Sequence, residues 1–197
     1  VRAGESIAIV GRTGAGKTTL VGLLPRFHDP VAGAVLLDGH DLRSLERRSL
    51  RRRIGAVLQA NFLFSGTVLD NLRYGHPTVN ESAVVQAAIL ARVDEFVQDL
   101  PDGYLTQVGE GGASLSTGQR QRIALARASL ADPLVVILDE ATSGLDHDNA
   151  VAVQRALDNS FPQRTRIVIT HRDTTIENVD LCWLLDAGEL RSGSVGA

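Results

Sequence analysis

The chain predicts an α/β layered fold: a mainly parallel sheet flanked by helices and interrupted by a helical insert. Three observations carry this. Leu134-Val135-Val136-Ile137-Leu138 is a continuous apolar run, as expected of a strand buried on both faces of a parallel sheet, and Arg166-Ile167-Val168-Ile169-Thr170 repeats the pattern. A third apolar run, 5–10, enters a glycine-rich turn and then a segment of helical character, 17–24. Between these strands, residues 61–130 read as mainly helical.

Taken in order, 25–41 is punctuated by Pro30, Gly33 and Gly39 around Ala34-Val35-Leu36-Leu37, which predicts a strand with turns. Residues 42–53 carry six arginines (Arg43, Arg47, Arg48, Arg51, Arg52 and Arg53). That run is either a nucleic-acid patch or an ion-paired helix face. The acidic remainder of the chain favours the second. Residues 54–58 form another strand ending at Gln59. Thr78-Val79-Asn80-Glu81 matches a capping box opening an alanine-rich amphipathic stretch that runs from Ser82 toward Leu100 and stops at Pro101. Residues 181–185 and 186–190 read as strand, turn and strand. The glycines and serines of 191–197 predict a flexible tail without a terminal helix.

Composition bounds the function classes. With 20 Lys+Arg against 23 Asp+Glu over 197 residues, bulk electrostatics does not call for a nucleic-acid partner. The one cysteine, Cys182, excludes an internal disulfide framework and fits a reducing compartment; it reads as a buried structural thiol. No apolar window reaches membrane-spanning length and no signal peptide opens the chain. With no methionine and a strand at once after Val1, the chain reads as an excised fragment, although N-terminal processing gives the same appearance.

Gly11-Arg12-Thr13-Gly14-Ala15-Gly16-Lys17-Thr18 satisfies G-x-x-x-x-G-K-[ST] between a strand and a helix, as the phosphate-binding loop requires. The glycines let consecutive backbone N–H groups converge on phosphate oxygens, and the helix N-terminus adds partial positive charge. Lys17 then reaches the β- and γ-phosphates, Thr18 binds Mg²⁺, and Thr19 follows in the nucleotide-binding set. Asp139 and Glu140 end the buried strand, where ligands of parallel sheets sit. Asp139 is placed to hold Mg²⁺, usually through water, and Glu140 to accept a proton from an attacking water. Ser116 and Gln119 have capping-box spacing, so a helix begins there and runs to about Leu130. Gly118 permits close backbone approach. This second helix N-terminus makes physical sense if it closes on a nucleotide held by another subunit.

Together these motifs resemble the nucleotide-binding domain of an exporter-type ATP-binding cassette (ABC) transporter. Residues 11–18 match the Walker A loop and Gln59 the Q-loop. Leu115-Ser116-Thr117-Gly118-Gln119 matches the signature, and 134–140 Walker B with its catalytic glutamate. Ser143-Gly144-Leu145-Asp146 resembles the D-loop and His171 the switch histidine. Phe62-Leu63-Phe64-Ser65-Gly66-Thr67-Val68 and Thr106-Gln107-Val108-Gly109-Glu110-Gly111-Gly112 resemble exporter-type segments, the latter lying in such proteins against coupling helices of the membrane domains.

The resemblance implies a P-loop NTPase core in two parts, 1–60 and 131–190, with an α-helical subdomain at 61–130 that carries the signature. It further implies that two such domains, from the same or different chains, sandwich ATP between the Walker A loop of one and the signature of the other. Glu140 would polarise the water, His171 would contact the γ-phosphate, Gln59 would touch Mg²⁺ or the water, and Asp146 would tie the protomers together. The implied activity is ATP hydrolysis driving export, weak in the isolated chain, at the cytoplasmic face of a membrane through transmembrane domains. Two departures stand out. The family usually has glycine where this chain has Thr117, whose branched side chain is expected to crowd the phosphate or restrict the turn. The aromatic residue that stacks on adenine precedes the first strand in the family and is not among these residues. A soluble ABC ATPase and a nucleotide-dependent interaction module with little turnover are the competing classes.

Overall fold

A computed structural model describes residues 1–58, 61–112, 114–142, 145, 147–170 and 179–193. They divide into two compact units, one comprising 1–56, 133–140 and 163–197, the other 57–132 and 141–162.

The first unit is built on a six-stranded sheet. In chain order its strands are β1 (Ser6–Val10), β4 (Ile54–Val57), β7 (Val135–Asp139), β8 (Thr165–Ile169), β9 (Leu181–Asp186) and β10 (Glu189–Gly193). The spatial order is β10-β9-β1-β8-β7-β4. β1 runs parallel to β8 on one side and β9 on the other, β7 runs parallel to β8, and β10 returns antiparallel along β9. The sequence expectation of buried apolar runs holds for β7 and most of β1, whereas in β8 residues Thr165–Val168 are only half-buried and Ile169 alone is buried. Every residue of β7 is buried, as are Ser6, Ile7, Ala8 and Ile9 of β1.

Two short strands, β2 (Leu36–Leu37) and β3 (His40–Asp41), form a separate ribbon, and β5 and β6 belong to the second unit. Helices α1 (Lys17–Gly22) and α2 (Arg47–Arg52) contribute Val21 and Leu50 to a core with Ile9, Ile54, Ile137, Ile169 and Leu185. The arginine run is engaged locally. Glu46 caps α2, Arg43 pairs with Asp41 at 2.7 Å, and Arg51 donates to the carbonyls of Pro25 and Arg26 while lying over the Phe27 ring.

The second unit contains α3 (Val68–Arg73), α4 (Glu81–Leu90), α5 (Asp94–Val97), α6 (Thr117–Ser129) and α7 (His147–Ser160). Its small ribbon pairs β5 (Gly66–Thr67) with β6 (Gln107–Val108). α6 packs against α3, α4 and α7. α7 also packs against α4.

Two local expectations give way to tertiary detail. The box at Thr78 does not open α4: Asn80 caps it, accepting from the Ala83 N–H at 2.8 Å, so that Glu81 is already helical. Nor does one amphipathic helix run on toward Leu100. Arg92 adopts φ 58°, and the N–H groups of Val93 and Arg92 bond to the carbonyls of Ala88 and Ile89, a left-handed C-terminal turn that ends α4 and restarts the chain as α5. Such turns usually advertise themselves with glycine, and here the residue is arginine. The predicted flexible tail is also corrected at its start. Arg191, Ser192 and Gly193 pair with Leu184, Trp183 and Cys182, because the hairpin at Ala187-Gly188 lays them along an edge with open hydrogen-bonding groups. Residues 194–197 lie outside the described residues.

A polar clamp joins β1 to the segment before β9. Ser6 donates from its backbone N–H (2.7 Å) and its hydroxyl (2.8 Å) to the Asp180 carboxylate, while the Asp180 N–H donates to the Ser6 carbonyl. Those bonds hold the Asp180 carboxyl below its ordinary range. A depressed folded-state value places this contribution above the unfolded carboxylate value, and it is lost as pH falls through the folded one. The wild-type protein should therefore lose thermal stability below about pH 4, with a shallower acid limb in Asp180→Asn. Melting temperatures measured against pH check this.

Candidate functional site

Each unit holds one candidate site. In the first, β1 ends at Val10 and the chain turns through 11–16 into α1. Gly11 has φ 153°, and a side-chain carbon there would fall inside van der Waals contact of the Leu185 carbonyl oxygen on β9. Glycine is thus required at the base of the loop by the neighbouring strand. Gly14 and Gly16 differ: a Cβ at either would meet nothing within 4 Å, so the loop borders open space at these two positions. Gly16, at φ 97°, is the residue from which α1 starts. Lys17 is buried and curls back over the loop, its Nζ donating to the carbonyls of Gly11 (2.8 Å) and Arg12 (3.0 Å).

The sheet brings Asp139 to this loop. Thr18 Oγ1 donates to Asp139 Oδ2 at 2.9 Å, although the two are far apart in sequence. Burial is the main influence raising the Asp139 carboxyl above its ordinary value; the Thr18 hydrogen bond and the Lys17 charge oppose it, and the Glu140 charge adds to it. Glu140 sits in a left-handed conformation (φ 50°) with its N–H donating to the Ile169 carbonyl at 2.9 Å. A glutamate in that conformation is uncommon, and such backbone is held only where neighbouring structure over-determines it. Thr18 and Asp139 supply hard oxygen donors of the kind a Mg²⁺ ion takes alongside phosphate oxygens and water. No cluster of three or more His, Cys, Asp or Glu suited to a metal occurs among the described residues.

The candidate site of the second unit is the start of α6. Ser116 caps the helix: its hydroxyl accepts from the Gln119 N–H at 3.2 Å, and the Gln119 side-chain oxygen accepts from the Ser116 N–H at 2.8 Å. The capping box expected from the sequence is therefore present. Ser116 and Thr117 are exposed, whereas Leu115 and Gly118 are buried. A Cβ at Gly118 would lie 3.0 Å from Asn149 Oδ1 on α7, which explains glycine there by helix packing. One contributor escaped the sequence reading. Arg120 donates to the Leu115 carbonyl (2.6 Å) and to Thr117 Oγ1 (3.1 Å). Its spacing of three from Thr117 on a helix was the available signal.

The two exporter-like segments also come together. Gly66 and Thr67 pair with Val108 and Gln107, and the Val68 N–H donates to the Thr106 carbonyl. Beside them Phe62, Phe64 and Tyr74 form an exposed aromatic patch, with Phe64 and Tyr74 stacked at 4.0 Å and Phe62 edge-on to Phe64 at 5.1 Å. Buried Asn71 and the Arg127 guanidinium fasten this patch through the Phe62 and Phe64 carbonyls. Gln59, Asp146 and His171 lie outside the described residues.

Two outcomes follow from this geometry. Gly11→Ala should destabilise the protein by about 1–3 kcal/mol through overpacking, a fall in Tm on the order of 5 °C, read by calorimetry. Asp139→Asn should raise the Tm of the nucleotide-free protein by a few degrees at neutral pH. A raised folded-state value means the stability from protonated Asp139 is present at acid pH and lost as pH rises, so the gap between variant and wild type should close on acidification.

The sequence matches the description of the ABC transporter family over residues 1–143. The ATP-dependent lipid A-core flippase of Syntrophus aciditrophicus (strain SB) is 48% identical over 190 residues, covering 96% of this chain and 32% of the flippase. ABC transporter B family member 13 of Arabidopsis thaliana is 46% identical over 191 residues, covering 97% of this chain and 15% of its own length. A solved bacterial Atm1-family ABC exporter with ATP bound superposes with a TM-score of 0.92 at 40% identity, over 99% of this chain and 34% of the exporter. The chain thus spans between 15% and 34% of these proteins. By the extent of these matches, the chain belongs to the ABC transporter family.

Proposed function

We propose that the chain is the ATP-hydrolysing domain of an exporter, acting as a pair in which each 11–18 loop holds an ATP that the partner's 115–119 segment covers. The observation that carries this reading is the Thr18–Asp139 hydrogen bond beside a loop open at Gly14 and Gly16. It joins a phosphate cradle, a hydroxyl and a buried carboxylate at one end of a parallel sheet, where ligands of such sheets bind.

In this reading the loop amides and Lys17 bind the triphosphate, Lys17 exchanging its two carbonyl partners for phosphate oxygens. Thr18 and Asp139 hold Mg²⁺, which when bound offsets the negative charge of the triphosphate, and Gln59 completes that set. Glu140 orients a water and accepts its proton as the water oxygen bonds to the γ-phosphorus and the bond to the β,γ-bridging oxygen breaks, releasing ADP and phosphate. His171 contacts the γ-phosphate and Asp146 the partner. From the second protomer, the Ser116 hydroxyl retains a proton to donate, and the first-turn amides of α6 point outward as helix N-terminal amides do.

The patch of Phe62, Phe64 and Tyr74 suits a partner that presents apolar helical surface, the cytoplasmic end of a transmembrane domain. Among the described residues no helix is long and apolar enough to cross a membrane.

Glu140→Gln tests the motor reading. It should lower the steady-state ATPase rate at least about 100-fold and enrich an ATP-bound dimer in size-exclusion chromatography with light scattering. Equal turnover in both proteins removes Glu140 from its role. ATP binding without measurable turnover in the wild type favours the interaction-module reading.

A further inference from the structure

Thr117 stands where the family pattern has glycine, and the simplest expectation is obstruction. The contacts around it point elsewhere. Arg120 lies flat on the segment that enters α6: a Cβ at Gly112 would come within 2.8 Å of Arg120 Cδ and 3.3 Å of its Cγ, so the aliphatic stem covers the glycine. Beyond the stem, one terminal nitrogen, Nη1, donates to the carbonyls of Leu115 (2.6 Å) and Gly112 (3.4 Å). The other, Nη2, donates to Thr117 Oγ1 at 3.1 Å.

That division of labour has a mechanical consequence. Of the two bonds from Nη1, the one to Gly112 is long, so the guanidinium rests chiefly on the Leu115 carbonyl at that end. A third acceptor on the opposite nitrogen fixes the plane, because the fork is rigid. The same segment carries backbone bonds from the Gly112 N–H to the Gly109 carbonyl and from the Leu115 N–H to the Gly112 carbonyl, both 2.9 Å. Leu115 anchors it in the helical unit, being 4% exposed. Glycine at 117 would remove the acceptor that Nη2 has among the described residues.

We propose that Thr117 is a positioning residue. Its hydroxyl locks Arg120 as a brace over Gly112 and Leu115, holding the Ser116 hydroxyl and the first amides of α6 in the arrangement that receives a partner's phosphate. This rests on the reading of 115–119 as half of a composite ATP site. It reverses the expectation that the threonine crowds the phosphate or restricts the turn: the hydroxyl, not the branch, is what the site uses.

Thr117→Val keeps the shape and removes the acceptor, Thr117→Ser keeps the acceptor and removes the branch, and Arg120→Lys keeps the charge but cannot span both sides. Two measurements on the whole chain separate the outcomes. Amide hydrogen exchange at Leu115 and Ser116 reports the brace itself. The protein concentration giving half-maximal ATP-induced association, measured in the Glu140→Gln background, reports its use. Loss of a hydrogen bond to a charged group should accelerate exchange at these amides about tenfold in Thr117→Val and Arg120→Lys and raise the association midpoint severalfold, with Thr117→Ser restoring both to wild-type values. Unchanged exchange in Thr117→Val, or failure of Thr117→Ser to restore it, overturns the brace. Accelerated exchange with an unmoved midpoint overturns its role in pairing. If the Glu140→Gln protein does not associate with ATP at all, the composite-site reading falls with the pairing role, and exchange at Leu115 still decides whether the brace exists.

Discussion

The first unit depends on how β1 is held between two strands that arrive from the far end of the chain. Ile9 pairs with Ile169 on β8, and Ile169 pairs in turn with Asp139 on β7. One rung therefore sets three strand ends level. On the other side Val10 pairs with Leu184, which brings the carbonyl of Leu185 so close to residue 11 that only glycine fits. The loop that follows β1 cannot shift along the sheet without breaking this register. A slip of one residue would turn buried β1 side chains to the opposite face. The Thr18–Asp139 hydrogen bond is a consequence of that alignment, as is the bond from the Glu140 N–H to Ile169.

Around the aligned ends the structure accepts local cost. Asp139 is a carboxylate whose surroundings favour its neutral form, and Glu140 occupies a backbone region that side chains other than glycine rarely adopt. Neither feature helps the fold. Under the proposed function, a cation and a reacting phosphate would compensate both.

The helical unit solves a different problem, that of presenting a helix N-terminus on a firm base. α6 is wedged among α3, α4 and α7, and Gly118 lets α7 approach closely enough for Asn149 to abut its backbone. The capping box closes the helix start from below, and Arg120 folds over the incoming segment from the side. Arg127, further along the same helix, reaches the Asn71 backbone and side chain and the Phe62 carbonyl, so one helix supports both the signature and the aromatic patch.

Much of this was readable from residue order alone, where the physics is local. Apolar runs without alternation marked β7 and β8 as parallel strands, a G-x-x-x-x-G-K-[ST] string marked the cradle, and Ser116 three residues before Gln119 marked the start of α6. What needed the folded chain was every choice made by a distant neighbour. Ala91-Arg92 ends α4 through a left-handed turn that carries no glycine to announce it, and Asn80 rather than Thr78 wins the cap. Residues 191–193 become a strand only because β9 offers an edge. The role of Thr117 shows the division most sharply. Sequence identifies a threonine where glycine is customary, but whether its side chain obstructs or braces is set by where Arg120 points, and that direction exists only once Gly112 has turned beneath it.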